Sequence, residues 1–124
     1  MMLFPVLPMQ SKFDSQNRYH SDEGPALTYG DGSYSYYWHG ELHRLGGPAT
    51  VDKTKNVERW YINGLRHRLD GPAVVWPNGS MWYINGKVVD KEIREWATMF
   101  AINLNKLSDE DKQMIALYWA DYGK

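Results

Sequence analysis

The sequence predicts a mainly β fold of the α+β class: a single-layer antiparallel meander of three β-hairpin repeats, capped by a C-terminal two-helix hairpin. Two motifs recur together, a histidine and a Gly-Pro-Ala triplet. They begin at His20 and Gly24, at His43 and Gly47, and at His67 and Gly71. In both series the spacing is 23 and then 24 residues, and self-similarity at such a period is typical of repeat architectures. After Gly86 the period fails and apolar residues recur at helical spacing instead.

The bulk composition is that of one small domain spanning residues 1–124. The chain carries 14 Lys and Arg against 15 Asp and Glu, a formal net charge of −1. Nucleic-acid-binding domains usually carry a basic excess, so the charge argues against a nucleic-acid partner. Cysteine is absent, which excludes thiol chemistry and favours a reducing, cytoplasmic location. No stretch is long and apolar enough to span a bilayer, which argues against a membrane partner.

Residues 1–16 are predicted to form an extended arm, because Pro5 and Pro8 oppose a regular helix. Its apolar side chains are available to dock on a neighbouring apolar surface. They are Leu3, Phe4, Val6 and Leu7. Two interpretations are open, a docked arm and a partly ordered terminus.

Residues 17–89 are predicted to form the repeats, each made of a strand, a turn, a return strand and a second turn. Asn63-Gly64 and Asn85-Gly86 follow apolar return strands. Asn-Gly is the strongest short hairpin signal, because both central positions of the favoured turn need positive φ. In the longer loop of the middle repeat, Asn56 is predicted to be left-handed. We assign five glycines to backbone geometry rather than to chemistry, namely Gly32, Gly40, Gly64, Gly79 and Gly86.

Side-chain alternation sorts the return strands into two faces. The face predicted to be the core carries Tyr36 and Trp38, Trp60 and Ile62, and Trp82 and Ile84. Burying one tryptophan removes about 150–250 Å² from water. Trp60 and Trp82 are therefore expected to contribute more to stability than any single turn glycine.

The opposite face carries a tyrosine in each repeat, flanked by Ser35, Arg59 or Met81. Tyr, Arg and Met are favoured at protein interfaces. The candidate protein-binding residues are therefore Tyr37, Arg59, Tyr61, Met81 and Tyr83. Two alternatives are open here: this face is exposed, or the helices or the arm cover it.

Residues 90–124 are predicted to form the helical hairpin. Asp90 is the expected N-cap of the first helix and Ser108 that of the second, where three acidic residues favour the positive helix end. The first apolar stripe is Ile93, Trp96, Ala97, Phe100, Ala101 and Leu104. The second is Met114, Ile115, Tyr118 and Tyr122, broadened by Leu117 and Trp119. An open repeat sheet needs its end and apolar face covered, and this hairpin is the simplest cover.

The repeat pattern resembles the MORN (membrane occupation and recognition nexus) motif, a β-hairpin unit with a turn glycine, an aromatic return strand and an Asn-Gly-type turn. The residues that carry the resemblance are Gly32, Trp38, Gly40 and Gly47; Trp60-Tyr61, Asn63-Gly64 and Gly71; and Gly79, Trp82-Tyr83 and Asn85-Gly86. They cover roughly residues 17–89. Gly-Pro-Ala and His-Arg-Leu stand where the usual motif has a Gly-x-Gly step, so the chain resembles the degenerate MORN-like repeats of bacterial and viral proteins.

The resemblance implies a scaffold for protein contact or self-association, with no shared catalytic residues. Together with the small size, it suggests a non-enzymatic binding module that masks another protein: a phage-encoded inhibitor of a host protein, or an immunity or antitoxin protein. An open edge strand or aromatic face makes a homodimer plausible. Competing classes are a lipid- or glycan-binding module, since aromatic platforms also stack sugars, and last a hydrolase.

The three repeat histidines invite a metal interpretation, but geometry opposes it. Equivalent positions in successive hairpins are two strands apart, roughly 10 Å, whereas ligands of one zinc lie only about 3–4 Å apart. We therefore predict no metal and no cofactor, and a histidine that hydrogen-bonds across the turn before Gly-Pro-Ala. A catalytic residue has no reason to recur in equivalent places, which argues against a nucleophilic site.

Overall fold

The computed structural model describes residues 8–124, and seven strands of this part form one antiparallel sheet in the order β1-β2-β3-β6-β7-β10-β11. These strands are β1 (Pro8–Ser11), β2 (Leu27–Tyr29), β3 (Tyr34–Ser35), β6 (Thr50–Asp52), β7 (Val57–Arg59), β10 (Val74–Trp76) and β11 (Gly79–Met81). Each strand pairs with the next along this order. The mainly β, antiparallel architecture is confirmed.

The other strands form three short hairpins that branch from the sheet. They are β4 (Tyr37–Trp38) with β5 (Glu41–Leu42), β8 (Tyr61–Ile62) with β9 (Leu65–Arg66), and β12 (Tyr83–Ile84) with β13 (Lys87–Val88). Two helices follow, α1 (Asp90–Met99) and α2 (Asp109–Trp119). The predicted helical pair after the repeats is therefore confirmed.

The part of the predicted arm that the structure describes belongs to the sheet. Residues 8–11 are extended, as expected, but they are an edge strand, with Ser11 opposite Leu27 and Pro8 opposite Tyr29. Beyond this strand, Phe13 forms a bridge with Tyr19. The predicted docking of Leu3, Phe4, Val6 and Leu7 lies outside the described residues.

Four residues directly follow a strand of the sheet at the point where the chain leaves it, and we call them the bridging residues. They are Lys12, Tyr36, Trp60 and Trp82. Three of them lead into a short hairpin, and the first leads to the bridge between Phe13 and Tyr19. At Trp60 the backbone N–H donates to the Ala73 carbonyl (2.7 Å), and the Trp60 carbonyl accepts from the His67 N–H (3.1 Å). The same two bonds join Lys12 to Ala26 and His20, and Tyr36 to Ala49 and His43. Each bridging residue therefore satisfies its backbone groups with the segment that follows.

At Trp82, the last bridging residue, Val89 and Asp90 provide the hydrogen-bond partners that a further repeat would otherwise provide. The Trp82 carbonyl accepts from the N–H of Val89 (3.0 Å), which stands where the earlier units have a histidine. The Trp82 N–H donates to the Asp90 carboxylate (3.1 Å). The prediction that Asp90 is an N-cap is wrong: Val89 is the N-cap, and Asp90 is the first helical residue. Its carboxylate instead binds the end of the sheet.

The main core lies between the last repeat and the helices. It consists of Trp82, Ile84, Val89, Ile93, Ile115 and Trp119. The predicted core face is thus confirmed for Trp82 and Ile84. The prediction that Trp38 belongs to the core is wrong, since 45% of this residue is exposed. Tyr36, Trp60 and Ile62 are half-buried. The reason is the position of the helices, which cover the final repeat and leave the first one open.

The helical stripes are shorter than predicted. Helix α1 ends at Met99, and Ala101 is exposed with φ of 55°, so Phe100 and Ala101 leave the predicted stripe. In α2, Ile115 and Trp119 are buried but Tyr118 is exposed. The predicted cap Ser108 is confirmed: its hydroxyl accepts from the Asp111 N–H and the Asp111 carboxylate accepts from the Ser108 N–H, both at 3.0 Å.

The turns follow the backbone preferences of their residues. Asn63 and Gly64 have φ of 49° and 80°, and Asn56 has φ of 56°, so both predictions are confirmed. Gly79 is the exception, because its φ is not in the left-handed region. A Cβ there would lie 3.1 Å from the indole nitrogen of Trp76, so the constraint on this glycine is close contact with the indole rather than backbone freedom.

The Gly-Pro-Ala triplet makes room for an arginine. The Arg68 guanidinium lies over the Trp60 ring at 3.7 Å and donates to the Pro72 carbonyl at 3.1 Å. A Cβ at Gly71 would lie 2.5 Å from the guanidinium carbon. Arg44 and Gly47 repeat this arrangement, with Arg44 over Tyr36 at 4.1 Å. At Gly47 and Gly71 the glycine therefore leaves room for cation–π packing, whereas nothing lies within 4 Å of a Cβ at Gly24.

Two tryptophan variants test the position of the core. We expect Trp82→Ala to lower the free energy of unfolding by about 3–5 kcal/mol, because a fully buried indole leaves a cavity. Trp38→Ala is the matched control and is expected to cost less, about 1–2 kcal/mol, since 45% of Trp38 is already exposed. Urea denaturation measures both, and equal losses would contradict the assignment.

A substitution at Asp90 tests whether its carboxylate stabilises the fold through the hydrogen bond from Trp82. Asp90→Ala leaves the buried N–H of Trp82 without its acceptor, so we expect a loss of about 1–3 kcal/mol in unfolding free energy. Arg94→Ala is the matched control, because it removes the ion pair that Asp90 makes on the same helix (2.7 Å) but keeps the bond to Trp82, and it is expected to cost less than about 1 kcal/mol. Indistinguishable thermal midpoints for the two variants would refute this role.

Candidate binding groove

One row of side chains crosses the sheet on the face that carries the predicted binding residues. The strand register pairs Ser35 with Thr50, Thr50 with Arg59, Arg59 with Val74, and Val74 with Met81. Residues paired in this way lie on the same face of a sheet. The grouping of Ser35, Arg59 and Met81 is therefore confirmed, with Thr50 and Val74 between them.

Two adjoining pockets lie along this row. One, of about 490 Å³, is lined by Tyr29, Leu42, Arg59, Tyr61 and Arg66 among others. The second, of about 540 Å³, shares Arg59 and Arg66 and adds Val57, Val74, Trp76, Met81 and Tyr83. Because the two arginines belong to both pockets, the pockets form one depression. We call it the tyrosine groove and define it by Arg59, Tyr61, Arg66, Met81 and Tyr83.

Arg66 holds the tyrosines of the groove together. Its Nε donates to the Tyr61 hydroxyl (3.1 Å) and its Nη1 to the Tyr83 hydroxyl (3.2 Å). The hydrogen bond to Tyr61 raises the pKa of the guanidinium, so Arg66 remains charged. Side-chain alternation along the return strands did not point to Arg66, although a two-residue Asn63-Gly64 turn places position 66 opposite position 61, as observed. The length of this turn was therefore the sequence feature that could have predicted Arg66 as a groove residue.

Tyr37 holds the equivalent position in the first short hairpin but lies outside the linings described for the two pockets. Its ring packs beside that of Tyr19, with centroids 5.2 Å apart. Burial, with Tyr29, Tyr19 and Tyr61 nearby, raises the pKa of its hydroxyl. Of the five predicted binding residues, the structure brings Arg59, Tyr61, Met81 and Tyr83 together and separates Tyr37 from them.

Neither helix contributes to the lining of the groove. The helices pack against Trp82 and Ile84, whereas the groove is lined by residues 29–83. Within residues 8–124, the alternative in which the helices cover the tyrosine face is therefore wrong. Coverage by residues 1–7 lies outside the described residues.

The charges in the groove are unevenly distributed. Asp31 and Asp52 line the first pocket, and Lys55 lines the second. The Thr54 hydroxyl and the Lys55 N–H donate to the Asp52 carboxylate and lower its pKa, so Asp52 is ionised near neutral pH. The arginine pair lies where the two pockets join and is the positive centre of the groove.

The repeat histidines fix the short hairpins to one another. The Nδ1 atoms of His20, His43 and His67 accept from the N–H groups of His39, Asn63 and Asn85, at 3.0, 2.9 and 2.9 Å. Each donor is the first central residue of an adjacent hairpin turn. The predicted bond across the turn before Gly-Pro-Ala is confirmed at His20, whose Nε2 also bonds to the Asp22 carboxylate (2.8 Å). At His43 and His67 the bond observed is instead the one to the next short hairpin.

A second polar cluster contains His39, which does not belong to the series of repeat histidines, and the repeat pattern therefore did not predict it. Asp14, His20 and His39 offer ligand atoms within 4.8 Å of one another. The Asp14 Oδ2 accepts from Arg18 Nε (2.9 Å) and His39 Nδ1 (2.8 Å), and its Oδ1 accepts from the backbone of Gln16 and Arg18. Burial raises the pKa of Asp14, but these bonds outweigh it and hold the pKa well below its usual range. The donors already use both carboxylate oxygens, so the cluster fits a structural hydrogen-bond network.

Comparison with models of protein families, with curated proteins and with solved structures returned no match. The resemblance to MORN repeats stays a prediction. Within residues 8–124, neither helix combines the length and the apolar composition needed to cross a bilayer.

The bond from His67 to Asn85 makes a pH-dependent contribution to stability. Burial, and to a lesser degree Lys124, lowers the pKa of His67 from 6.5. Its stabilising contribution is therefore complete above the unfolded-state pKa and is lost as pH falls towards the folded-state pKa. We expect His67→Ala to cost about 1 kcal/mol at pH 7.5 and clearly less at pH 5, measured by urea denaturation. A cost that is constant or grows on acidification would contradict the role of the neutral imidazole.

Proposed function

We propose that this chain is a non-enzymatic protein-binding module that contacts its partner through the tyrosine groove. The observation that supports this is an open depression in which arginine, tyrosine and methionine side chains converge on a paired sheet. These residue types are favoured at the centres of protein interfaces. Their support is rigid, because Arg59 and Met81 lie on sheet strands and Tyr61 and Tyr83 are held by Arg66.

We further propose that the sheet and its short hairpins are three MORN-like repeats of a degenerate variant. The recurring bonds of the bridging residues and the histidines support a repeat interpretation, since equivalent atoms meet in successive units. A cytoplasmic module that masks another protein, such as a phage-encoded inhibitor or an immunity or antitoxin protein, fits this architecture. The two edge strands, β1 and β11, could also pair two copies into a homodimer.

A double variant tests the proposed interface. Tyr61→Ala plus Arg59→Ala removes one aromatic and one cationic contact, so we expect at least about a 30-fold weaker interaction with the partner. The partner is sought by affinity capture from the native source followed by mass spectrometry. Leu117→Ala is the matched control, because Leu117 is 79% exposed on α2, outside the groove.

Equal retention of the captured protein by wild type and double variant would place the interface elsewhere. Liposome flotation and a glycan array test the competing classes. Binding in either assay that is lost in the double variant would replace a protein partner by a lipid or a sugar.

A further inference from the structure

Most other arginines of the described chain form an ion pair with an aspartate, but the two arginines of the groove do not. Within residues 8–124, Arg18, Arg68 and Arg94 form ion pairs with aspartates at 2.9, 2.8 and 2.7 Å. Arg59 and Arg66 take part in none of the ion pairs of this part of the chain. Two guanidinium groups that line one open depression without a carboxylate partner can pair with a bound anion.

The groove centre is also an array of hydrogen-bond donors. A guanidinium has five N–H groups and no acceptor, and Arg66 uses Nε and one Nη1 hydrogen on the two tyrosines. A tyrosine hydroxyl that accepts from Arg66 directs its own proton elsewhere. The Tyr61 and Tyr83 hydroxyls and the remaining N–H groups can therefore all donate to a bound acceptor.

We propose that the tyrosine groove recognises the carboxylate of an aspartate or glutamate in the protein partner, held by Arg59, Arg66 and the two tyrosine hydroxyls. This inference rests on the proposed protein-binding function and adds the chemistry of the bound segment. Arginine matches a carboxylate with two parallel N–H···O bonds. The apolar walls of the second pocket, formed by Val57, Val74, Trp76 and Met81, fit an apolar side chain next to the acidic one.

The surroundings favour an isolated carboxylate over a polyanion. Asp31 and Asp52 line the first pocket, and the chain has a formal net charge of −1. A row of phosphates from RNA or from a lipid surface would extend past the two arginines, and Asp31 and Asp52 would repel it. A single acidic residue between apolar neighbours avoids that repulsion.

The experiment uses the full chain and a phage-displayed library of random peptides about a dozen residues long. Selected peptides that lose binding to Tyr61→Ala define the groove ligands. Their affinities are then measured by isothermal titration for wild type and Arg59→Gln, with the peptide acid also changed to its amide. Arg66→Gln is measured in parallel, and Arg59→Gln keeps the test interpretable if loss of the tyrosine bonds unfolds the Arg66 variant. Lys91→Gln is the matched control, because it removes the same charge from an exposed position on α1.

We expect the groove ligands to share an Asp or Glu beside an apolar residue. Arg59→Gln and the change of that acid to its amide should each weaken binding roughly ten- to hundredfold, and the two changes together should cost little more than one. Lys91→Gln should leave the affinity unchanged.

Groove ligands that lack an acid, or that bind Arg59→Gln and Arg66→Gln as tightly as wild type, would overturn the carboxylate while supporting the proposed function. A selection without any groove ligand would overturn both. Binding of polyuridylate, or of vesicles containing phosphatidylserine, that is lost in Arg59→Gln would replace the carboxylate by a phosphate.

Discussion

The architecture depends on the paired backbone bonds made at the bridging residues. At Trp60 the N–H and the carbonyl both bond to the segment that follows, and the histidine ring of that segment then fixes the next turn. Strands of only two or three residues have few ladder bonds of their own. Distributing the pairing over the sheet, the bridging residue and the short hairpin lets such strands form one continuous structure.

This constraint also explains why the two faces of the sheet differ. The short hairpins carry large apolar groups on one side, and the helices bury those of the final unit, Trp82 and Ile84. On the other side the same backbone presents Tyr61 and Tyr83, which Arg66 holds in place. Within residues 8–124, the helices thus cover one face, and Arg66 orders the tyrosines of the opposite face.

The parts of the fold that depend on local chemistry could be predicted from the sequence. Asn63-Gly64 specifies its turn because few other residues tolerate two successive positive φ angles, and Ser108 specifies its cap through Asp111. The exposure of Trp38 could not be predicted, since it depends on how far the helices reach. Asp90 and the Asp14 cluster were missed for a similar reason, because their partners are distant in sequence or outside the repeat. For the groove, side-chain alternation grouped Arg59, Tyr61, Met81 and Tyr83 correctly, but it added Tyr37 and missed Arg66.

Val89 and Asp90, which connect the last repeat to α1, determine where the series of repeats ends. Two residues, standing where His67 and Arg68 stand one unit earlier, replace the backbone partners of a further repeat. The Val89-Asp90 dipeptide thus occupies both backbone groups of Trp82, to which a further unit would otherwise bond. Because every bridging residue offers the same N–H and carbonyl, this dipeptide rather than the sheet itself limits the number of units.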